Sequence, residues 1–185
     1  SFRDLVNELV GHRRVDGLMV INPYVDRRYE NENISVNFPT VYVGAAAREE
    51  EISSVCLDDE LVAYDATRHL LDLGHRSLAM VTGPLEEDCT RDRNLGYRRA
   101  LEEAELKYNP QFVIEGDWSA SSGQAAFMQF AGRELRPTAV FAQNDRMALG
   151  VLRAARDLDL DIPKELAVIG VDDMPLSSYF DPPLT

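Results

Sequence analysis

Short, continuous apolar runs alternate along this chain with longer stretches whose apolar residues recur on one helical stripe. The first twelve residues are amphipathic, with Phe2, Leu5, Val6, Leu9 and Val10 on one face. Apolar runs follow at Gly17–Ile21, Thr40–Val43 and Ser54–Leu57, each read as a strand. Residues 60–73 read as a helix with Val62, Ala66, Leu70 and Leu73 on its stripe, and Gly74 stands where a C-cap belongs. Strands are predicted at Ser77–Thr82, Phe112–Ile114, Thr138–Ala142 and Leu166–Val171. The helices between them are predicted over residues 92–105, 121–135 and 146–158.

From residue 58 onward this is helix-then-strand repeated four times. The strands are apolar at almost every position, as expected when helices cover both faces of a parallel sheet. The fold class is therefore α/β, with doubly wound parallel sheet. No Ser-, Gly- or Pro-rich linker and no internal repeat divides the chain, and the acidic run Arg48–Glu51 reads as a solvated loop.

Composition narrows the function. The chain has 185 residues, 45% of them apolar, with 19 Lys and Arg against 32 Asp and Glu, for a formal charge of -13. Such a charge repels phosphate backbones, so this chain is not expected to grip DNA or RNA by itself. No apolar run approaches the roughly 20 residues of a membrane-spanning helix. The two cysteines, Cys56 and Cys89, form no disulfide framework; they read as small buried apolar groups, and a reduced, cytoplasmic setting is expected. The chain starts without Met and stops at Pro182-Pro183-Leu184-Thr185 with no element to finish on, and is read as a piece of a longer protein.

Open parallel sheets bind ligands beyond the carboxyl ends of their strands. Arg91 and Arg93 follow the strand at 77–82, and Asp117-Trp118-Ser119 follows 112–114. Gln143-Asn144-Asp145 follows 138–142, and Asp172-Asp173 follows 166–171. Each has a structural reading as well. Asn144 or Asp145 could cap the next helix, Asp173 could cap the turn before Pro175, and Trp118 could be core. Together they supply guanidinium, indole, amide and carboxylate groups, which suits a polyhydroxylated or heterocyclic small molecule. Tyr24 joins the candidates because it follows a strand end.

Catalytic and metal motifs are missing: there is no nucleophile elbow, no phosphate-binding glycine loop, and no metal spacing among His12, His69 and His75. No enzyme activity, cofactor or metal is expected. His75 reads as satisfying a helix end, and His69 as a surface or packing residue.

Several stretches in combination resemble the effector-binding core of LacI/GalR-family transcriptional regulators. They are Val15–Val20; Ala66–Arg76, ending in LGHR; Thr82-Gly83-Pro84; Arg91-Asp92-Arg93 with Gly96–Leu101; Glu115–Ser119; Pro137–Ala142; Asn144–Gly150; Gly170–Asp173; and Asp181–Thr185. The resemblance implies two α/β lobes like those of periplasmic sugar-binding proteins, with a cleft between them. Residues 1–57 would be part of the first lobe and 58–185 the second. Arg93, Trp118, Asn144 and Asp172 fall on positions that commonly touch the effector. The family's partners follow: a sugar-like effector, operator DNA through a headpiece outside this chain, no membrane, and a homodimer, for which helix 1–12 is the candidate surface. Asp58-Asp59 and Val62 depart from the Asp-Asn pair and Gly of many members. The alternatives are a periplasmic sugar-binding protein of a transporter and an enzyme of sugar or nucleoside metabolism.

Overall fold

Alternate residues of two central strands face opposite layers of core. In β4 (Leu78–Thr82), Leu78 and Met80 join one buried cluster while Ala79 and Val81 join the other. The same division holds in β6 (Ala139–Ala142), between Ala139 and Phe141 on one side and Val140 and Ala142 on the other. A strand with helices on both faces has no solvent side, so its two-residue period fills both cores. The computed structural model describes residues 2–12, 15–21, 38–44, 53–131 and 136–184.

These strands belong to a four-stranded sheet in the order β5-β4-β6-β7, all neighbours parallel, with β5 at Val113–Glu115 and β7 at Ala167–Ile169. One cluster unites the sheet with α2 (Asp59–Asp72) and α3 (Asp88–Glu103), through Ala63, Leu70, Tyr97 and Leu101. The other unites it with α4 (Ala120–Ala131) and α5 (Asp145–Asp157), through Phe127, Phe130, Val151 and Ala155. Residues Asp59–Leu85 and Thr90–Thr185 make up this compact unit.

A second unit comprises Ser1–Asp58 and Glu86–Cys89. It holds α1 (Phe2–Gly11) and a three-stranded parallel sheet in the order β1-β2-β3: Leu18–Ile21, Thr40–Val43 and Ser53–Val55. Registers run Leu18 to Thr40 and Val41 to Ser53. Leu9 and Val10 of α1 are half-buried. Tyr24 and the acidic run Arg48–Glu51 lie outside the described residues.

Helix ends follow local chemistry. Gly74 takes a φ of +94° just past α2, and its N–H bonds Leu71 O at 3.0 Å while His75 N–H bonds Leu70 O at 3.2 Å. This is the left-handed C-cap that a glycine adopts without a Cβ penalty. Arg76 adds a bond from Nη1 to Leu71 O at 2.8 Å, and the His75 ring pairs with Thr138 Oγ1. Two helix pairs approach backbone to backbone. A Cβ on Gly150 of α5 would stand 1.9 Å from Ala120 O of α4, and one on Gly123 of α4 2.1 Å from Met147 O of α5. Gly96 of α3 meets Glu60 O of α2 in the same way.

The differences from the sequence reading have physical causes. α3 begins at Asp88, four residues before the expected start, because its first turn is polar and lacks an apolar stripe. β7 stops at Ile169, since Asp172 and Asp173 take positive φ and turn the chain away. β3 covers 53–55 and is exposed along its length, where a strand at 54–57 was expected. Cys56 is exposed and Cys89 half-buried, so neither is the buried apolar group its residue type suggests. No described helix is long and apolar enough to cross a membrane.

Candidate functional site

The strand order sets the place. The chain leaves β4 toward β5 on one side and leaves β6 toward β7 on the other, so the connections diverge between the carboxyl ends of β4 and β6. In sheets of this kind that divergence opens the crevice where ligands sit. The loops bordering it begin at Gly83 and Gln143.

Arg93 enters from the second turn of α3 and is 7% exposed. Its Nε and Nη2 both reach Asp59 Oδ1, at 2.8 and 2.7 Å, and Nη1 donates to the carbonyl of Gln143. Asp59 opens α2, where a carboxylate also suits the positive end of the helix dipole. The buried guanidinium is thereby neutralised and aimed, with donor capacity left over from its five N–H groups.

Trp118 lies beside it. The Arg93 guanidinium carbon is 5.9 Å from the indole centroid, within cation–π range. The six-membered ring rests on Gly83, where an added Cβ would stand 2.0 Å from Cζ2. Only a glycine lets the indole come this close. Trp118 is half-buried and borders the α4–α5 core, so it is partly core and partly site. Its φ of +69° is rare for a bulky side chain and costs on the order of 1–3 kcal/mol. The turn around it is tied down: Asp117 Oδ1 accepts Ser119 N–H at 3.0 Å, and Ser119 Oγ caps α4 by accepting Ser122 N–H at 3.1 Å. Hydrogen bonds from the Ser119 hydroxyl, then the Ser119 N–H and the Ser122 hydroxyl, hold the Asp117 carboxyl below its usual range.

Asn144 is the N-cap of α5: its Oδ1 accepts Met147 N–H at 2.8 Å. The capping expected of this residue type is therefore real. The same side chain also donates from Nδ2 to Trp118 O at 3.1 Å, which ties the loop after β6 to the loop after β5.

Asp172 follows β7 with a φ of +111°; the residue as a whole is exposed, while its carboxyl is partly withdrawn from water. Burial of its carboxyl raises the pKa, the cations of Arg93 and Arg146 oppose this, and Asp145 adds to the rise. Asp172 thus lies within electrostatic reach of Arg93. Asp145 is 3% exposed and accepts Met174 N–H on Oδ2 at 2.8 Å. It, and not Asp173, caps the turn before Pro175. Burial pushes the Asp145 carboxyl up, Met174 N–H pulls it back, and Asp173 raises it further.

The structure brings Arg93, Trp118 and Asn144 into one connected group, with Asp172 coupled to it through charge. Tyr24 is outside the described residues. The sequence placed Gln143 after a strand and Gly83 and Asp59 within or beside family-like stretches, but gave none of the three a role in the site. Asp59 and Arg93 are 34 positions apart, and nothing local announces their pairing. Gln143 is 0% exposed at the end of a strand that is otherwise apolar, and that polar residue on an apolar strand was the one available signal. Among the described residues no group of His, Cys, Asp or Glu is arranged to hold a metal ion.

Residues 67–185 match the family described as a periplasmic binding protein-like domain. The chain is 35% identical over 182 residues to catabolite control protein A of Priestia megaterium, covering 98% of this chain and 54% of that protein. It is 36% identical over 181 residues to the ribose operon repressor of Escherichia coli K12, covering 96% and 54%. Its fold is similar, with a TM-score of 0.89 and 25% identity, to a sugar-binding transcriptional regulator of the LacI family from Escherichia coli complexed with phosphate, covering 99% of this chain and 66% of that one. The chain spans about half the length of the curated relatives it matches.

Proposed function

We propose a sensing function from one premise: this chain belongs to the periplasmic binding protein-like domain family and is the effector-binding domain of a LacI/GalR-type regulator. The domain takes a small polyhydroxylated metabolite, a sugar or sugar derivative, at the carboxyl edge of the four-stranded sheet. Its occupancy alters how the whole protein holds operator DNA.

The observation that carries this reading is the convergence of Arg93 from α3 with Trp118 and Asn144 from the loops after β5 and β6 at the crevice between β4 and β6, with Asp172 in electrostatic reach. Trp118 offers an apolar face to a sugar ring. Asp172 accepts hydroxyls, and Arg93 donates with the N–H groups that Asp59 and Gln143 leave over. Asn144 retains one amide hydrogen. Tyr24 is proposed as the contribution of the residues before β2. The similarity to a regulator described as sugar-binding favours a sugar over other metabolites.

DNA contact belongs to a headpiece outside residues 1–185, because a domain with a charge of -13 is repelled by phosphates. The whole protein is proposed to be a cytoplasmic homodimer, since a regulator reading two half-sites needs two headpieces at fixed spacing. The names of the relatives, a catabolite control protein and an operon repressor, favour regulation over transport and over an enzymatic role.

The test is thermal denaturation of this chain with D-ribose, cellobiose, glucose 6-phosphate and hypoxanthine. A ligand that binds only the folded state raises the melting temperature with concentration. A saturable rise with one sugar, moved to higher concentration by Asp172→Ala, is expected. No rise with any sugar or sugar phosphate overturns the reading. Operator titration of the full-length protein with and without the effective ligand then measures the coupling.

A further inference from the structure

Two adjacent carboxamides close a ring of contacts around the only tryptophan of the chain. Gln143 Oε1 accepts the Gly83 N–H at 3.1 Å, and its Nε2 donates to Thr90 O at 3.3 Å. Gly83 in turn is the seat of the Trp118 ring. Asn144 Nδ2 donates to Trp118 O at 3.1 Å, on the other side of the same residue. The circuit therefore runs Gln143, Gly83, Trp118, Asn144 and back through one peptide bond. It links the loops after β4, β5 and β6, and the backbone carbonyl of Gln143 adds Arg93 to it.

We propose that Gln143 and Asn144 are positioning residues for Trp118: they fix its indole over Gly83 and beside Arg93 by holding the main chains of Gly83 and Trp118. The proposal deepens the effector reading and rests on it for its significance. Three features carry it. Gln143 is fully buried, and an amide at that depth needs its bonds, which it makes to main-chain groups of the β4–α3 segment. Trp118 sits at a φ of +69°, a conformation that persists only when surrounding contacts over-determine it. Asn144 uses one atom for the α5 cap and a different atom for Trp118, so its two roles separate by chemistry.

That separation makes the test. Serine and aspartate both serve as N-caps, but aspartate has no donor for Trp118 O, and serine has one short-reaching oxygen in place of the two separate polar atoms of the amide. Asn144→Ser and Asn144→Asp should therefore keep the helical far-UV signal. Because Trp118 is the only fluorophore of its kind in this chain, its emission reports the indole alone. Both variants should red-shift the emission maximum and raise the acrylamide quenching constant. Gln143→Met, which keeps the volume and loses the bonds to Gly83, Thr90 and the Met80 sulfur, should do the same. In the unaltered chain, time-resolved anisotropy should show no large subnanosecond component, because the indole is held. Emission and quenching unchanged in the two Asn144 variants overturn the proposal, since a residue that only caps α5 would give that result. So does a large fast anisotropy component in the unaltered chain, an outcome that needs no variant to fold. None of these measurements contains a ligand. A titration with D-ribose or cellobiose that leaves Trp118 emission unmoved while the variants behave as stated counts against the effector reading alone.

Discussion

Asp59 and Arg93 form a buried ion pair in which one carboxylate oxygen receives two guanidinium N–H groups, at 2.8 and 2.7 Å, with side chains only 11% and 9% exposed. The pair joins the first residue of α2 to the second turn of α3, so the guanidinium at the crevice is held by a residue that the ligand need never touch. Removing the carboxylate leaves a charge buried without its partner. Asp59→Ala should cost ~3–5 kcal/mol in urea denaturation. The double variant Asp59→Ala with Arg93→Met should recover most of that loss. A single-variant cost near zero would show that Arg93 swings into water instead.

Effector affinity is best tested at Asp172. The residue as a whole is exposed, so truncation leaves the core intact, whereas Arg93→Ala also orphans Asp59. Asp172→Ala should weaken binding of the identified sugar by about ten- to hundredfold, the equivalent of ~1.5–3 kcal/mol for a lost charged hydrogen bond. Calorimetry measures it, and an unchanged Kd removes Asp172 from the site.

Gly150→Ala and Gly11→Ala should behave oppositely. The first pushes a methyl to within 1.9 Å of Ala120 O, while the second meets nothing within 4 Å. Overpacking at Gly150 should cost ~1–3 kcal/mol. The change at Gly11 should be neutral or stabilising by up to about 1 kcal/mol, through reduced freedom of the unfolded chain. Denaturation midpoints of the two variants check both.

Stability should depend on pH through Asp145. Burial raises its folded-state pKa above the ordinary 3.8, so the folded chain binds this proton more tightly than the unfolded chain does. Its contribution is therefore most favourable below 3.8, declines as pH rises from there through the raised value, and is flat above. Asp145→Asn keeps an oxygen for Met174 N–H and has no proton to lose. The variant should gain stability relative to the parent as pH climbs through the mildly acidic range. Parallel pH–stability curves for the two proteins would show that Asp145 does not titrate there. Asp117, whose pKa is lowered by Ser119 and Ser122, works in the other direction: its contribution is lost as pH falls through the lowered value.

Much of the four-stranded sheet was legible because each of its elements carries a local signal. Apolar positions in β4 and β6 reveal burial on both faces, and Gly74 announces the end of α2 through the conformation only glycine takes easily. Placing Arg93, Trp118, Asn144 and Asp172 at strand ends was legible for the same reason, because a rule about parallel sheets turns sequence position into location. What could not be read was the wiring between loops. The order β5-β4-β6-β7 is a property of pairing, and only that order sets Gln143 beside Gly83. Helix starts without an apolar stripe, such as Asp88–Arg91, carry no periodicity to mark them. The exposed strand Ser53–Val55 escapes its register for a related reason: exposure takes away the alternation that would fix it.

The glycine contacts between α4 and α5 have a mechanical consequence. With Gly123 and Gly150 seated on the opposite backbones, the two helices have no side-chain layer between them to absorb a displacement at those points. Soft contacts deform and damp motion; backbone seated on backbone transmits it. α5 starts at the crevice, where Asn144 caps it, and ends 13 residues later at Asp157, a span of about 20 Å at the helical rise. Displacement of Asn144 should therefore move α4 and α5 together as one two-helix strut, because no side-chain layer at Gly123 and Gly150 can take up the change.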